Sequence, residues 1–241
     1  MLQFANLINP INLGIREYIL EELEIEDVFT IPNTGITVDE STVVSWIIMS
    51  AIFILSFILT RGMKVDGDIS RRQIFIEMCV DKMRSFFRNI IGEHADEYVP
   101  WLMSVAVYIG ASNMIGILGM KPPTKSMQVT AALALTTIVL VEAAGIKHKG
   151  IKGHLKSFAQ PVAVVLPINI MEIAIKPISL CMRLFGNIIG AFIIMELIKY
   201  FWFTNIGISL AFGFYFDLFD GFLQAYIFVF LSSIYIKEAV E

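Results

Sequence analysis

The sequence predicts an all-α membrane protein: three conventional spanning helices, an amphipathic cytoplasmic helix, and a long, steeply tilted two-helix hairpin. Three observations predict it. Of 241 residues, 56% are hydrophobic and 17% charged, against roughly 45–50% and about 25% in soluble chains, so polar surface is too scarce to cover a water-facing body. Several uncharged stretches match the thickness of a bilayer, and two later apolar stretches far exceed it. The net charge of -4 supplies no field to attract nucleic acid. Cys79 and Cys181 stand far apart and no histidines pair at ligand spacing, so no disulfide, metal or cofactor is expected.

Residues 1–40 read as an external N-terminal segment. Met1 to Asn12 lack a basic region before an apolar core, so no signal or transit peptide is expected. Arg16 to Asp27 carries six acids against one base and reads as a surface helix or loop. Residues 41–60 are twenty uncharged residues, enough to cross about 30 Å of hydrocarbon at roughly 1.5 Å per residue, and form the first spanning helix. Residues 61–97 hold seven bases, with Ile74, Met78, Met83, Phe86, Phe87 and Ile90 at near-helical spacing. That is an amphipathic helix on a membrane surface or against a partner.

Residues 98–146 read as a two-span hairpin, uncharged over 23 residues from Tyr98 to Met120 and interrupted only by Glu142 from Ser126 to Ile146. Lys121-Pro-Pro-Thr124 makes its turn. Residues 147–160 read as a cytoplasmic basic loop, with Lys147, Lys149, Lys152 and Lys156. His94, His148 and His154 fall in surface loops and are expected to be solvated. Segments 61–97 and 147–156 hold eleven of the eighteen bases, and basic short loops favour the cytoplasm. The N-terminus, Lys121 and Lys125 are then outside and the C-terminus is cytoplasmic. Without a presequence, that pattern points to a bacterial plasma membrane more than an organelle.

Residues 161–241 form the long hairpin. The 43 residues from Pro161 to Phe203 would extend about 65 Å as a helix, twice the hydrocarbon thickness. Such a helix tilts, lies partly in the membrane plane, or kinks at Pro161, Pro167 or Pro177. Gly207 to Glu238 would extend about 48 Å, with the turn at Thr204 to Gly207. At about 100° per residue, Asn169, Glu172, Lys176, Ser179, Asn187 and Gly190 fall within about 40° of Arg183. Asp217, Asp220, Gln224, Tyr235 and Glu238 likewise share one direction of the second helix. Antiparallel pairing sets Gln224 level with Asn187 and Asp217 near Ile194, while Glu196 points to the side opposite Arg183. Carboxylates near the outer turn and a Glu172, Lys176 and Tyr235 group nearer the cytoplasm leave Arg183 between them. This is the outline of two half-channels separated by a cation that stays charged.

Lys176-Pro-Ile-Ser-Leu-Cys-Met-Arg-Leu-Phe-Gly-Asn187 resembles subunit a of F-type ATP synthases, the bacterial type of stator channel in the Fo sector. Pro167-Ile-Asn-Ile-Met-Glu172 and Leu223-Gln-Ala-Tyr-Ile-Phe228 support the resemblance in family order, and Pro122-Pro-Thr and Ser41 to Trp46 match more weakly. The strong part covers residues 160–238. The resemblance implies a subunit without a catalytic site of its own, working with a c-ring, peripheral-stalk b subunits and the lipid bilayer. In this family H+ or Na+ enters one half-channel, rides on a c-subunit carboxylate and leaves by the other. Arg183 matches the essential arginine, Asn187 and Gln224 its polar neighbours, and Asn169, Glu172 and Ser179 the cytoplasmic half-channel. Asp217 falls in the outer half-channel. Phe192 departs from the pattern, standing where many members carry an ionisable residue; Glu196 or Asp220 is the substitute. Two other readings use the same residues: a secondary transporter or anion channel holding its substrate on Arg183, which lacks the expected internal repeat, and a structural anchor for peripheral-stalk proteins through 61–97, which leaves the polar stripes unexplained.

Overall fold

The computed structural model describes residues 27–30, 37–63, 70–118, 120–158, 166–201 and 212–240. Helix α1 spans Glu40–Thr60, α2 Arg71–Ile91, α3 Ala95–Met114 and α4 Met127–Ser157. Two long helices follow, α5 at Leu166–Phe201 and α6 at Phe212–Val240. Among the described residues, the regular structure is helical apart from a two-stranded antiparallel ribbon, β1 at Asp27–Thr30 with β2 at Thr37–Asp39. Val28, Phe29, Thr30, Thr37 and Val38 are β-branched or aromatic, the types that fit a pleated strand. Of the acidic segment from Arg16 to Asp27, only Asp27 is among the described residues. The expected turn at 204–207 and Pro161 also lie outside them.

Among the described residues, α1, α4, α5 and α6 are long and apolar enough to cross a membrane. The helix of the expected span at 98–120 is not among these four. That helix, α3, ends at Met114 in a 3-10 turn, Ile115–Leu118. Because α3 packs against α6 and α2 and buries Leu102, Val105, Ile109, Ser112 and Asn113, protein rather than lipid surrounds much of it. By contrast, α1 buries only its first half, through Ser41, Val44, Ser45 and Ile48, and exposes Phe53, Leu55, Phe57 and Ile58. Such a surface suits acyl chains.

The core lies where α3, α4, α5 and α6 meet, around Phe228, Leu102, Ile109, Leu180, Leu184 and Val141. Lipid is as apolar as leucine, so close approach and van der Waals packing, rather than expulsion of water, join such helices. Small hydroxyl residues permit that approach when their oxygens are satisfied locally. Ser232 Oγ donates to the Phe228 carbonyl at 2.7 Å, Ser233 Oγ to Val229 at 2.6 Å and Thr137 Oγ1 to Leu133 at 2.8 Å.

The stretch 147–157 is not a loop. Helix α4 continues to Ser157 across a kink at Gly150, whose φ of 71° suits a residue without Cβ. In a straight helix twelve residues separate side chains by about 18 Å, yet His154 Nε2 and Glu142 Oε2 lie 2.8 Å apart. The kink folds the end of α4 back and buries His154, correcting the expectation of a solvated ring. His148 is also half-buried, 3.1 Å from the Tyr98 hydroxyl and 4.2 Å between ring centroids from His94. His94 is exposed, as expected.

At that end of the molecule α2 is tied to α3 by Asp96, which accepts from Arg88 and, at 2.8 Å, from Arg84. Hydrogen bonds from Arg88 and then Arg84 hold the Asp96 carboxyl well below the usual carboxylate range. A depressed carboxylate stabilises the fold fully above its unfolded pKa, and that contribution is lost as pH falls through the folded value. We therefore expect Asp96→Asn to speed amide exchange at the 92–94 turn at neutral pH. In the wild type, protection there, taken relative to the intrinsic exchange rate at each pH, should fall similarly only as pH drops below the ordinary carboxylate range. Equal exchange in both proteins at neutral pH contradicts this role.

Candidate functional site

Helix α5 carries three surfaces side by side. Leu180, Cys181, Leu184 and Ile188 are buried and turn toward α4, where Cys181 Sγ lies 3.6 Å from Thr130 Oγ1. Ile168, Met171, Ile175, Ile178 and Met182 are exposed and form an apolar face. The polar stripe runs along the seam between them, since 3.6-residue periodicity sets the polar positions between the two apolar sets. Arg183 is exposed on this seam, with no ion pair or hydrogen bond among the described residues. Gly186, one turn on, is also exposed, and an added Cβ there or at Gly190 would meet nothing within 4 Å.

Two polar clusters flank Arg183. In the first, Lys176 Nζ lies 2.9 Å from Glu238 Oε2, 3.6 Å from Glu172 Oε2 and 5.3 Å from the centroid of the Tyr235 ring. Asn169 Nδ2, two turns earlier, donates to the Phe158 carbonyl at 2.9 Å and anchors the start of α5 to the end of α4. Ser179 is half-buried on the same seam. In the second cluster, Asn187 Nδ2 donates to Asp220 Oδ2 at 2.8 Å and to Gln224 Oε1 at 3.3 Å. Gln224 is 3% exposed, and its Nε2 has no partner among the described residues. By helical rise Arg183 stands about 10 Å from Lys176 and about 6 Å from Asn187 along α5.

The pairing of Gln224 with Asn187, and the joining of Glu172, Lys176 and Tyr235, match the expected register, and Glu238 adds to that group. The shared face on α6 needs a change. Tyr215–Asp220 forms a π turn, wider than 3.6 residues, so 100° arithmetic does not carry from position 217 to 224. The side chains of Glu196 and Asp217 lie outside the described residues. The hairpin helices also touch each other sparingly; α5 packs mainly on α4, and α6 on α3 and α4.

Sequence reasoning missed three residues beside the second cluster. Thr124 Oγ1 donates to Asn113 Oδ1 at 3.1 Å, and Asn113 Nδ2 donates to the Gly221 carbonyl at 3.2 Å. Lys125, expected in the outer turn, is 3% exposed, with Nζ 3.8 Å from the centroid of the Phe192 ring. An aromatic face attracts a cation, which gives Phe192 a local partner. The only sequence signal for this corner is the Pro122-Pro123 turn that brings Thr124 and Lys125 inward.

A family described as ATP synthase A chain matches residues 42–237. Among curated relatives, ATP synthase subunit a of Mycobacterium marinum is 33% identical over 241 residues, covering 91% of this chain and 94% of that one. ATP synthase subunit a 1 of Crocosphaera subtropica is 31% identical over 213 residues, 86% of this chain and 89% of the relative. The subunit a of Moorella thermoacetica is 38% identical over 152 residues, 62% and 69% respectively.

Proposed function

The chain belongs to the ATP synthase A chain family, and from that premise we propose that it forms the ion path of the complex. It is a membrane subunit of the Fo sector. In this reading two offset half-channels pass H+ or Na+ to and from carboxylates of a c-ring, and Arg183 separates them. The observation that carries the reading is the arrangement along α5: an exposed arginine between two polar clusters, on the border of an exposed apolar face.

The physics favours a partner at that border. An arginine in hydrocarbon costs about 2.5–3.5 kcal/mol or more, and Arg183 has no anionic partner among the described residues, which supports a carboxylate of the ring meeting it there. A guanidinium keeps its proton, and its charge lowers the pKa of an approaching carboxylic acid, favouring release of the bound ion. The Asn187, Asp220 and Gln224 cluster, with Glu196 and Asp217, serves the outer half-channel. Asn169, Glu172, Lys176, Ser179 and Tyr235 serve the cytoplasmic one. The apolar face beside Gly186 receives the ring, and the exposed Ile74, Phe75 and Met78 of α2 face peripheral-stalk b subunits or lipid. The subunit has no catalytic site and no cofactor of its own, and sits in a bacterial plasma membrane with its N-terminus outside and its C-terminus cytoplasmic.

Glu196→Gln and Asp217→Asn are each expected to slow ion-driven rotation while the complex still assembles. Wild-type ATP synthesis in both variants removes these carboxylates from the path. ATP-driven pumping in sodium-free against sodium-containing buffer identifies the ion. Solute transport by the purified chain without partners would favour the transporter reading instead.

A further inference from the structure

The node formed by Thr124, Asn113 and Gly221 lies outside the two clusters yet adjoins one of them in sequence. Gly221 is the residue at which α6 leaves its π turn, and its N–H faces both the Leu218 and Phe216 carbonyls. Its own carbonyl accepts from Asn113 Nδ2. Asn113 is 6% exposed and Thr124 0%, so water does not compete for these bonds. An amide turned the other way would present oxygen to the Gly221 carbonyl, which can only accept; with nitrogen forward, the Thr124 hydroxyl satisfies Asn113 Oδ1 and tethers the amide from its other end. The residue before Gly221 is Asp220, whose carboxylate receives the Asn187 amide.

We infer that Asn113 and Thr124 are positioning residues for the ion path: they pin the Gly221 carbonyl at the end of the π turn and thereby set Asp220 against Asn187. The inference rests on the proposed role of Asp220 in the outer half-channel. A turn of more than 3.6 residues rotates everything beyond it, so where it ends decides which way Asp220 and Gln224 point. Backbone hydrogen bonds of α6 tolerate the change of winding at neighbouring positions; the contact from α3 selects one of them.

The test is ATP-driven ion pumping by membrane vesicles carrying the whole complex, expressed per assembled complex, in a cycle of Thr124→Val and Asp220→Asn. Thr124→Val keeps the shape and removes the donor. It is expected to lower the rate about three- to tenfold, the scale of one buried hydrogen bond, and Thr124→Ser to restore it. In the Asp220→Asn background Thr124→Val should cost nothing further, because its effect passes through Asp220. An equal fold loss in both backgrounds, or a loss only in the amount of assembled complex, overturns the inference. Slow pumping by Asp220→Asn with a wild-type rate in Thr124→Val overturns the inference alone; wild-type pumping by Asp220→Asn overturns the role of Asp220 and the inference with it.

Discussion

Gly221→Ala is expected to destabilise the chain by about 1–2 kcal/mol, although replacing glycine by alanine inside a helix ordinarily gains about 0.5–1 kcal/mol. The sign turns on space. An added Cβ at Gly221 would lie 2.7 Å from Asn113 Cβ, too close for any pair of carbons, and Asn113 is held at both ends of its amide. Its Cβ is fixed to the α3 backbone, so relief needs α3 and α6 to part, and overpacking of this kind costs typically about 1–3 kcal/mol. At Gly110, also within α3, an added Cβ meets nothing within 4 Å. Gly110→Ala should therefore show the ordinary gain. Thermal unfolding of the full chain in detergent checks both, and a gain at Gly221 matching that at Gly110 would contradict the close packing of these helices.

Local patterns made much of this fold legible. Apolar length located α1, α4, α5 and α6: α1 and α4 hold stretches of the length a bilayer imposes whatever the packing, and α5 and α6 belong to stretches that exceed it. The 3.6-residue period placed Lys176, Arg183 and Asn187 on one seam, because α5 is regular through those positions. What escaped notice depends on partners distant in sequence or on departures from regular winding. The fold-back at Gly150 serves a pairing of His154 with Glu142, which no helical period announces. The π turn before Gly221 defeats fixed-angle arithmetic. Uncharged length also marked residues 98–120, but it could not tell that much of the surface of α3 there meets protein. Lys125 read as an outer-turn residue, as lysines in turns usually do, but two prolines aim it beneath Phe192.

The largest functional effect is expected at Arg183. In the proposed reading, removing its charge leaves the polar seam continuous from the Lys176 cluster to the Asn187 cluster, so ions are expected to short-circuit between the half-channels and the ring to lose its bias. Each charge crossing 100 mV carries about 2.3 kcal/mol, available for ATP synthesis only while that leak is closed. Arg183→Lys should recover little. A lysine desolvated on an apolar border loses its proton readily, and its single ammonium lacks the planar fork that arginine offers a carboxylate. Because Arg183 is exposed and unpaired among the described residues, neither substitution breaks a contact among them, and both variants are expected to assemble.

ATP-driven ion pumping by vesicles carrying the whole complex, wild type against Arg183→Ala, with assembly measured on the same preparation, tests this account most directly. We expect fully assembled variant complexes that pump no ions. Assembled Arg183→Ala complexes that pump at the wild-type rate would contradict Arg183 as the separator of the two half-channels.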